Sequence, residues 1–329
     1  MDRENFIQSS VRIRHAEKNL LTKQQLHRLA DAKTLEDAIK LLNETSYSSE
    51  ISKLDRPENY EQVLSEVLDK TYKEVMEISP EKSLVEILSC KYEYHNLKVL
   101  VKEHILKEKF DSMYCMLDGN EIETFRELAL KNDEGLSKDF KECLDFFEVS
   151  KDPQDIDIFI DKKYFEKVLE VSKNLGLNLI EEYFKNMIDF LNIRTFIRCK
   201  RDEQDISILK AALIQDGYID TEDIASYFYK DIEDLINSYK NSRIGKSLIL
   251  ALKGYNDTGR LLLFEKYMEN FLTNLLKEKV QRMPYGPEII FAYVHAKEVE
   301  IKNLRICLVG RANGLSADFI KERLREIYV

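Results

Sequence analysis

The sequence predicts an all-α protein, and three observations lead to that prediction. Helix-breaking residues are scarce, with 10 glycines and 5 prolines in 329 residues, against roughly 12% in average chains. Charged residues make up 33% of the chain and hydrophobic residues 44%. Apolar side chains recur at the three- and four-residue spacing of amphipathic helices. The length exceeds that of a usual single core, so two or three helical domains are expected.

The charge and the terminal segment restrict the class of protein. A formal net charge of −10 argues against a nucleic-acid partner, because such binding depends on basic residues that neutralise phosphates. No apolar run approaches the ~20 residues that a membrane span needs, and the opening MDRENFIQSSVRIR has no signal-peptide core. A cytoplasmic location is therefore expected. The 5 cysteines are far apart, which predicts reduced, mostly buried thiols.

Several helix starts can be placed from capping residues. Thr34 precedes a run with helical apolar periodicity and is predicted as its N-cap. Ser79 is predicted as another N-cap, with Pro80 at the first helical position. Pro153 and Pro287 repeat this pattern of proline followed by polar residues and predict two further helix starts.

Two short stretches have more than one interpretation. Residues 155–161, DIDIFID, alternate as a strand does, but a lone strand cannot satisfy its backbone. A helix or an extended connector is predicted there. The stretch IGKS at 244–247 resembles the end of a phosphate-binding loop, yet Lys240 stands where that motif requires glycine. We interpret it as a turn before a helix that begins near Ser247.

The most informative feature is a repeated motif of an asparagine, an aliphatic residue and a basic residue, followed by a short apolar run. Its copies are NLK at 96–98, NIR at 192–194 and NLR at 303–305. Upstream of each copy lies a related helical stretch. These stretches are NYEQVLS from Asn59, YFEKVLE from Tyr164 and LFEKYME from Leu263. The same order of elements in each case predicts an internal triplication.

A glycine turn follows each motif and suits the left-handed residue that ends a helix. The glycines are Gly119, Gly217 and Gly314. With copies about 100 residues apart, each is large enough to form a small helical domain, and we predict domains at 1–115, 116–212 and 213–329. No long flexible linker separates them. This favours a compact, closed arrangement around a pseudo-threefold axis with a central cavity.

No catalytic, cofactor-binding or metal-binding residues are predicted. His95 and His104 are nine residues apart on one predicted helix, so they point in opposite directions. There is no Gly-x-Ser-x-Gly nucleophile elbow. Paired acids such as those at 181–182 and 202–203 are typical of solvated helix surfaces. A missed enzyme site is still an alternative, and ATP binding by the isolated chain would favour it.

Several stretches are similar to one known family. They are KYEYHNLKVLVK, DPQDIDIFIDKKYFEKVLE, NMIDFLNIRTFIR, the opening VRIRHAEKNLLTKQQLHRLADAKTLEDAIKLLNETSY and, most specifically, YGPEIIFAYVHAKEVEIKNLRICLVGRANGLSADFIKERLREIYV. Together they resemble the C subunit of the V-type (archaeal and bacterial A/V-type) ATPases and ATP synthases. The eukaryotic counterpart is the d subunit of the vacuolar proton pump. The resemblance extends essentially from end to end.

The resemblance implies an all-α, funnel-shaped protein of three similar helical domains. It also implies a non-catalytic rotor subunit that acts as a socket. The central opening would receive the central-stalk subunits, and the opposite face would contact the cytoplasmic loops of the membrane proteolipid ring. A socket of this kind couples ATP hydrolysis or synthesis to proton or sodium transport and is peripheral on the cytoplasmic face. No cofactor, small-molecule substrate or nucleic acid is implied.

Five basic residues are candidates for the stalk contact. They are Arg12, Arg14, Lys98, Arg194 and Arg305. The last three are the basic positions of the repeated motif, and equivalent cations near an axis would suit an acidic or carbonyl-rich helix end. The alternative is that each pairs with a local carboxylate or extends its aliphatic stem over the core edge. A helical-repeat adaptor that binds peptides or helices, unrelated to rotary ATPases, is the second functional hypothesis.

Overall fold

The computed structural model describes residues 2–117, 121–131 and 135–329, and every regular element in these ranges is a helix. This confirms the predicted all-α class. The α-helices described are α1 (Ile7–Ala16), α2 (Lys23–Asp31), α3 (Leu35–Leu42), α4 (Ser48–Ile51), α5 (Tyr60–Ile78), α6 (Lys82–Leu106), α7 (Ile122–Lys131), α8 (Leu136–Ser150), α9 (Pro153–Asn174), α10 (Asn178–Arg201), α11 (Ile206–Ala212), α12 (Thr221–Ser226), α13 (Ile232–Ser238), α14 (Gly245–Thr258), α15 (Leu262–Val280), α16 (Pro287–Ala312) and α17 (Ala317–Arg323). Short 3-10 helices cover Glu4–Phe6, Glu17–Asn19, Pro57–Asn59 and Asp111–Met113.

Most predicted helix starts are confirmed. The Thr34 hydroxyl accepts a hydrogen bond from the N–H of Asp37 at 3.2 Å and caps α3. Pro153 and Pro287 are the first residues of α9 and α16. The prediction for Ser79 is wrong: this residue is the C-cap of α5. A glutamate takes the capping role at α6, because the Glu81 carboxylate accepts from the N–H of Ser83 at 3.2 Å.

The two ambiguous stretches are both helical or next to a helix. Residues 155–161 lie inside α9, a helix of 22 residues, so the alternation there is not a strand signal. Helix α14 begins at Gly245 rather than near Ser247, so only Ile244 of the IGKS stretch precedes it. Glycine is required at position 245 because a Cβ atom would lie 2.3 Å from the carbonyl oxygen of Lys240.

The chain divides into two compact units, Met1–Val85 with Glu265–Val329, and Glu86–Phe264. In the first unit α16 packs against α1, α2, α3 and α5. Most of the 26 residues of α16 are buried, so it is covered on nearly all sides, as a central core helix is. Leu304 and Leu308 of α16 pack into a core with Leu26, Leu42 and Leu64.

The second unit is built on the long helices α9 and α10. Helix α9 packs against α8 and α10, and α10 also contacts the short helices α11 and α12. Fully buried aliphatic and aromatic side chains of α9 and α10 form its core, among them Ile160, Ile180, Ile193 and Phe196. The five cysteines of the chain are free thiols, and all except Cys115 are buried. The three-domain division and the funnel shape stay predictions.

Candidate interaction site

Each asparagine of the repeated motif is buried on a long helix and binds the main chain of one downstream residue. The pairs are Asn96 with Cys115, Asn192 with Ile214, and Asn303 with Arg325. In each pair the asparagine Oδ1 accepts from the backbone N–H at 2.7–2.8 Å, and Nδ2 donates to the backbone carbonyl at 2.7–3.1 Å. We call these pairs the asparagine clamps. A side-chain amide suits this position because it supplies one donor and one acceptor to a main chain without a helical partner.

The chain between each asparagine and its clamped residue follows the same course. A long helix ends, a short helix follows, and one residue with extended backbone leads to the clamped position. These extended residues are Tyr114, Leu213 and Leu324, each the C-cap of the short helix before it. The three motifs therefore share a local structure as well as a sequence pattern.

A left-handed residue occurs eleven positions after each motif asparagine. Lys107 has φ +58°, Glu203 has φ +50° and Gly314 has φ +65°. Left-handed residues of this kind end helices by allowing the next N–H groups to bond back to the last turn. The Gly314 N–H donates to the Arg311 carbonyl at 3.1 Å, and the Leu315 N–H donates to the Gly310 carbonyl at 2.9 Å.

The predicted equivalence of the three glycine turns is therefore wrong. Gly314 ends a motif helix, whereas Gly217 follows the clamped Ile214 and is not left-handed. Glycine is needed at 217 for a close approach, since a Cβ atom there would lie 2.3 Å from the Asp189 carboxylate. Gly119 lies outside the described residues.

Two of the motif cations are engaged in ion pairs within the chain. The Lys98 ammonium lies 2.6 Å from the Asp161 carboxylate and 3.9 Å from that of Asp157, both on α9. The Arg305 guanidinium forms a bidentate pair with Glu61 of α5, at 2.8 and 3.0 Å. For these two residues the structure matches the interpretation in which the motif cation pairs with a carboxylate on a neighbouring helix.

The remaining candidate cations differ in their surroundings. Arg14 donates to the Glu17 carboxylate at 2.9 Å and to the carbonyls of Val280 and Met283 at 2.6 and 3.2 Å. Arg194 is half-buried on α10. Arg12 is exposed on α1 and has no ion pair with any described residue. Arg12 is thus a side chain that a partner can reach without breaking an ion pair with a described residue.

A buried polar cluster fixes the N-terminal helices of the first unit against α16. The Glu300 carboxylate accepts hydrogen bonds from the Tyr47 hydroxyl at 2.7 Å and the Lys297 ammonium at 2.6 Å. It also accepts from the N–H of Leu21. Burial and the neighbouring Glu300 raise the pKa of Tyr47 well above its usual value. The polar groups of this cluster are therefore paired, as buried groups must be to avoid a large desolvation cost.

The second unit contains a buried ion pair between α6 and α7. Arg126 donates from Nε and Nη2 to the two oxygens of Glu103 at 3.0 and 2.6 Å. Glu103 also accepts from the N–H of Phe110 at 2.6 Å and the Tyr114 hydroxyl at 2.8 Å. Burial alone would raise the pKa of Glu103, but the hydrogen bonds from Arg126, Phe110 and Tyr114 outweigh it and lower the pKa.

The part of the chain that the structure describes has neither a metal-ion site nor a membrane-spanning helix. No group of three or more His, Cys, Asp or Glu side chains is placed to hold a metal ion. None of the described helices combines the length and the apolar character needed to cross a bilayer.

Residues 9–323 match the family described as the ATP synthase (C/AC39) subunit. The chain therefore belongs to this family of ATP synthase subunits, which confirms the resemblance seen in the sequence. It is 24% identical to the C subunit of the V-type sodium ATPase of Enterococcus hirae over 96% of this chain and 97% of that protein. It is 25% identical to the C subunit of the A-type ATP synthase of Methanocaldococcus jannaschii, over 96% of this chain and 85% of the relative. The corresponding A-type protein of Pyrococcus horikoshii is 23% identical over 97% and 90%.

Proposed function

We propose that this chain is a non-catalytic rotor subunit of a V-type ATPase or ATP synthase. It forms the socket between the central-stalk subunits and the cytoplasmic loops of the membrane proteolipid ring. Through these two contacts it couples ATP hydrolysis or synthesis to proton or sodium transport. On this proposal the protein is peripheral on the cytoplasmic face of the membrane. The observation that carries the proposal is the family match over residues 9–323.

The local structure supports a role in transmitting force. Torque requires a body that does not deform, and long helices with few internal glycines provide one. Each asparagine clamp ties the segment after a motif helix back onto that helix through two hydrogen bonds. The buried Glu300 and Glu103 clusters link separate helices in the same way.

We propose that the basic candidates contact the stalk, and they differ in the intramolecular contacts that each would have to give up. Arg12 is available without rearrangement. Lys98 and Arg305 would have to exchange their intramolecular carboxylates for those of the partner, which is feasible because exposed ion pairs contribute only about 0–1 kcal/mol. Arg14 has two carbonyl partners in addition to Glu17 and is the most firmly held of the paired residues.

Co-elution of the purified chain with the purified central-stalk subunits on a sizing column tests the proposal. We expect one stable complex that leaves none of the chain free. A chain that elutes alone in the presence of both the stalk and the detergent-solubilised proteolipid ring contradicts the socket role and favours the helical-repeat adaptor. Binding of labelled ATP by the isolated chain would contradict the non-catalytic part of the proposal.

The basic candidates are tested with two charge-reversal variants in the same assay. Combined substitution of Lys98, Arg194 and Arg305 by glutamate, with unchanged helical circular dichroism, should weaken the complex. The single change Arg12→Glu should weaken it without any loss of stability, because Arg12 has no ion pair with a described residue. Loss of helicity in the triple variant would instead assign those three cations to folding.

A further inference from the structure

Helix α1 presents an exposed stripe with no covering element among the described residues. Val11 is 66% exposed and Ile7 is 47% exposed, one helical turn apart on the same face. His15 continues this line at the next turn and is exposed. Arg12 of α1 and Lys18 of the 3-10 helix that follows α1 flank it and are also exposed. We call these five residues the α1 stripe.

The charge of the stripe differs from that of the chain as a whole. The chain carries a net charge of −10, yet Arg12, His15 and Lys18 form a basic end of the stripe. None of the three has an ion pair with a described residue, whereas the neighbouring Arg14 is bound by Glu17. Glu4 lies at the other end of this segment, in the 3-10 helix that precedes α1.

The stripe belongs to a helix that is firmly anchored. On the opposite face Phe6 and Ile13 are buried, and α1 packs against the central helix α16. The Ser10 hydroxyl accepts a hydrogen bond from the N–H of Gly286 at 3.1 Å, immediately before α16. The stripe is therefore a preformed surface, and a partner need not order it on binding.

We propose that the α1 stripe seats one helix of a central-stalk subunit, with apolar side chains opposite Ile7 and Val11 and carboxylates opposite Arg12, His15 and Lys18. This inference rests on the proposed function and names the contact surface and the partner's chemistry. The spacing of Ile7, Val11 and His15 at four-residue intervals forms a ridge of the kind that packs into the groove of another helix. Unpaired cations beside that ridge select an acidic helix by charge complementarity.

The test measures the affinity of the full chain for the purified central-stalk subunits. Val11→Asp should raise Kd about tenfold, because it places a carboxylate in the apolar centre of the contact. A second variant combines Arg12→Glu, His15→Glu and Lys18→Glu. It should lower the association rate at low salt, and the difference from the unaltered chain should shrink as salt is added.

Helix α14 provides a matched control. Leu250 there is 48% exposed and Lys246 is exposed beside it, so Leu250→Asp and Lys246→Glu make the same chemical changes on another helix. These variants should bind the stalk like the unaltered chain. All variants should keep the unaltered unfolding midpoint, since only exposed side chains are changed.

The outcomes separate the inference from the proposed function. If the unaltered chain binds the stalk and both α1 variants bind equally well, the α1 stripe is not the contact and the socket role stands. If the α14 controls weaken binding as much as the α1 variants, the assignment to α1 is also wrong. If Val11→Asp disrupts self-association of the chain and not stalk binding, the stripe seats a second copy. If the unaltered chain does not bind the stalk even when the detergent-solubilised proteolipid ring is present, both proposals are overturned.

Discussion

Asn303 and Arg325 are joined by two hydrogen bonds between the asparagine side chain and the arginine main chain, at 2.7 and 3.1 Å. The same Arg325 also forms an ion pair with Glu269 at 2.7 Å, with its own side chain only 3% exposed. The segment after α17 is thus fixed at one residue through both its main chain and its side chain. Equivalent main-chain contacts at Asn96 and Asn192 explain why the motif begins with asparagine in each copy.

Loss of the clamp amide should destabilise the fold. Asn303→Ala leaves the N–H and the carbonyl of Arg325 buried without partners, and each orphaned group costs about 1–3 kcal/mol. We expect the free energy of unfolding, measured by urea titration, to fall by roughly 2–5 kcal/mol. Asn237→Ala on the exposed surface of α13 is the control and should change it by less than about 0.5 kcal/mol. Equal losses in the two variants would contradict the clamp role.

Substitution by glycine should stabilise the chain where a helix ends at a non-glycine residue with a left-handed backbone. Glu203 has φ +50°, a conformation that costs a non-glycine residue about 1 kcal/mol. Glu203→Gly should therefore raise the free energy of unfolding by about 0.5–1 kcal/mol. Glu203→Ala removes the charge but keeps the strain, so it should give no gain. Conversely, Gly314 has φ +65°, so Gly314→Ala should lower the free energy of unfolding by about 1 kcal/mol. The loss should be no larger, because no atom lies within 4 Å of a Cβ placed there.

Two bidentate arginine pairs should differ in strength because of burial. The Arg126 and Glu103 side chains are 9% and 8% exposed, whereas those of Arg305 and Glu61 are 45% and 48% exposed. Arg126→Ala should reduce the free energy of unfolding by about 3–5 kcal/mol, because it leaves the buried Glu103 carboxylate without its cation partner. Arg305→Ala should reduce it by no more than about 1 kcal/mol. Similar losses in urea titrations of the two variants would show that the Arg126 pair is hydrated in solution.

Lowering the pH should increase the stability that Asp189 contributes and decrease the stability that Glu103 contributes. Burial raises the pKa of Asp189 to about 7, although the N–H groups of Ile219 and Tyr218 favour the ionised form. The folded state therefore binds a proton more tightly than the unfolded state does. The contribution of Asp189 to stability is present below about pH 4 and is lost as the pH rises through 7. Glu103, with its lowered pKa, loses its contribution on acidification.

Asp189→Asn should remove that pH dependence. Urea titrations between pH 5 and pH 8 should show a flatter change in the free energy of unfolding than in the unaltered chain, by up to about 1.4 kcal/mol per pH unit. At pH 8 the variant should be the more stable of the two. Asp257→Asn, at an exposed position of α14, is the control and should leave the slope unchanged. A slope that Asp189→Asn does not alter would mean that the Asp189 pKa lies near its usual value.

Much of the fold was predictable from local signals. The scarcity of glycine and proline predicted the helical class, and Thr34, Pro153 and Pro287 marked helix starts through capping chemistry that needs no tertiary contact. The repeated asparagine motif predicted a triplication, and the clamps give that pattern a structural meaning. The clamp itself could not be predicted, because the clamped residues share no side-chain property and only their main chains are bound. Those residues are Cys115, Ile214 and Arg325.

Other features depend on contacts that are distant in the sequence. Left-handed residues are usually recognised as glycines, and Lys107 and Glu203 carried no such signal. The choice between a partner contact and an intramolecular pair for Lys98 and Arg305 depended on carboxylates that lie on other helices. Ser79 is not the N-cap of α6 because the helix begins at Lys82, where the Glu81 carboxylate accepts from the N–H of Ser83.

The arrangement of the first unit has a consequence for synthesis of the chain on the ribosome. Helices α1, α2, α3 and α5 pack on α16, which is translated roughly 200 residues after α5. At a translation rate of ~5–20 residues per second, their apolar faces remain exposed for about 10–40 s before α16 is synthesised. The second unit is one continuous segment and is complete before α16 leaves the ribosome. Nascent N-terminal helices with Leu26 and Leu42 uncovered are therefore a natural substrate for chaperones during that interval.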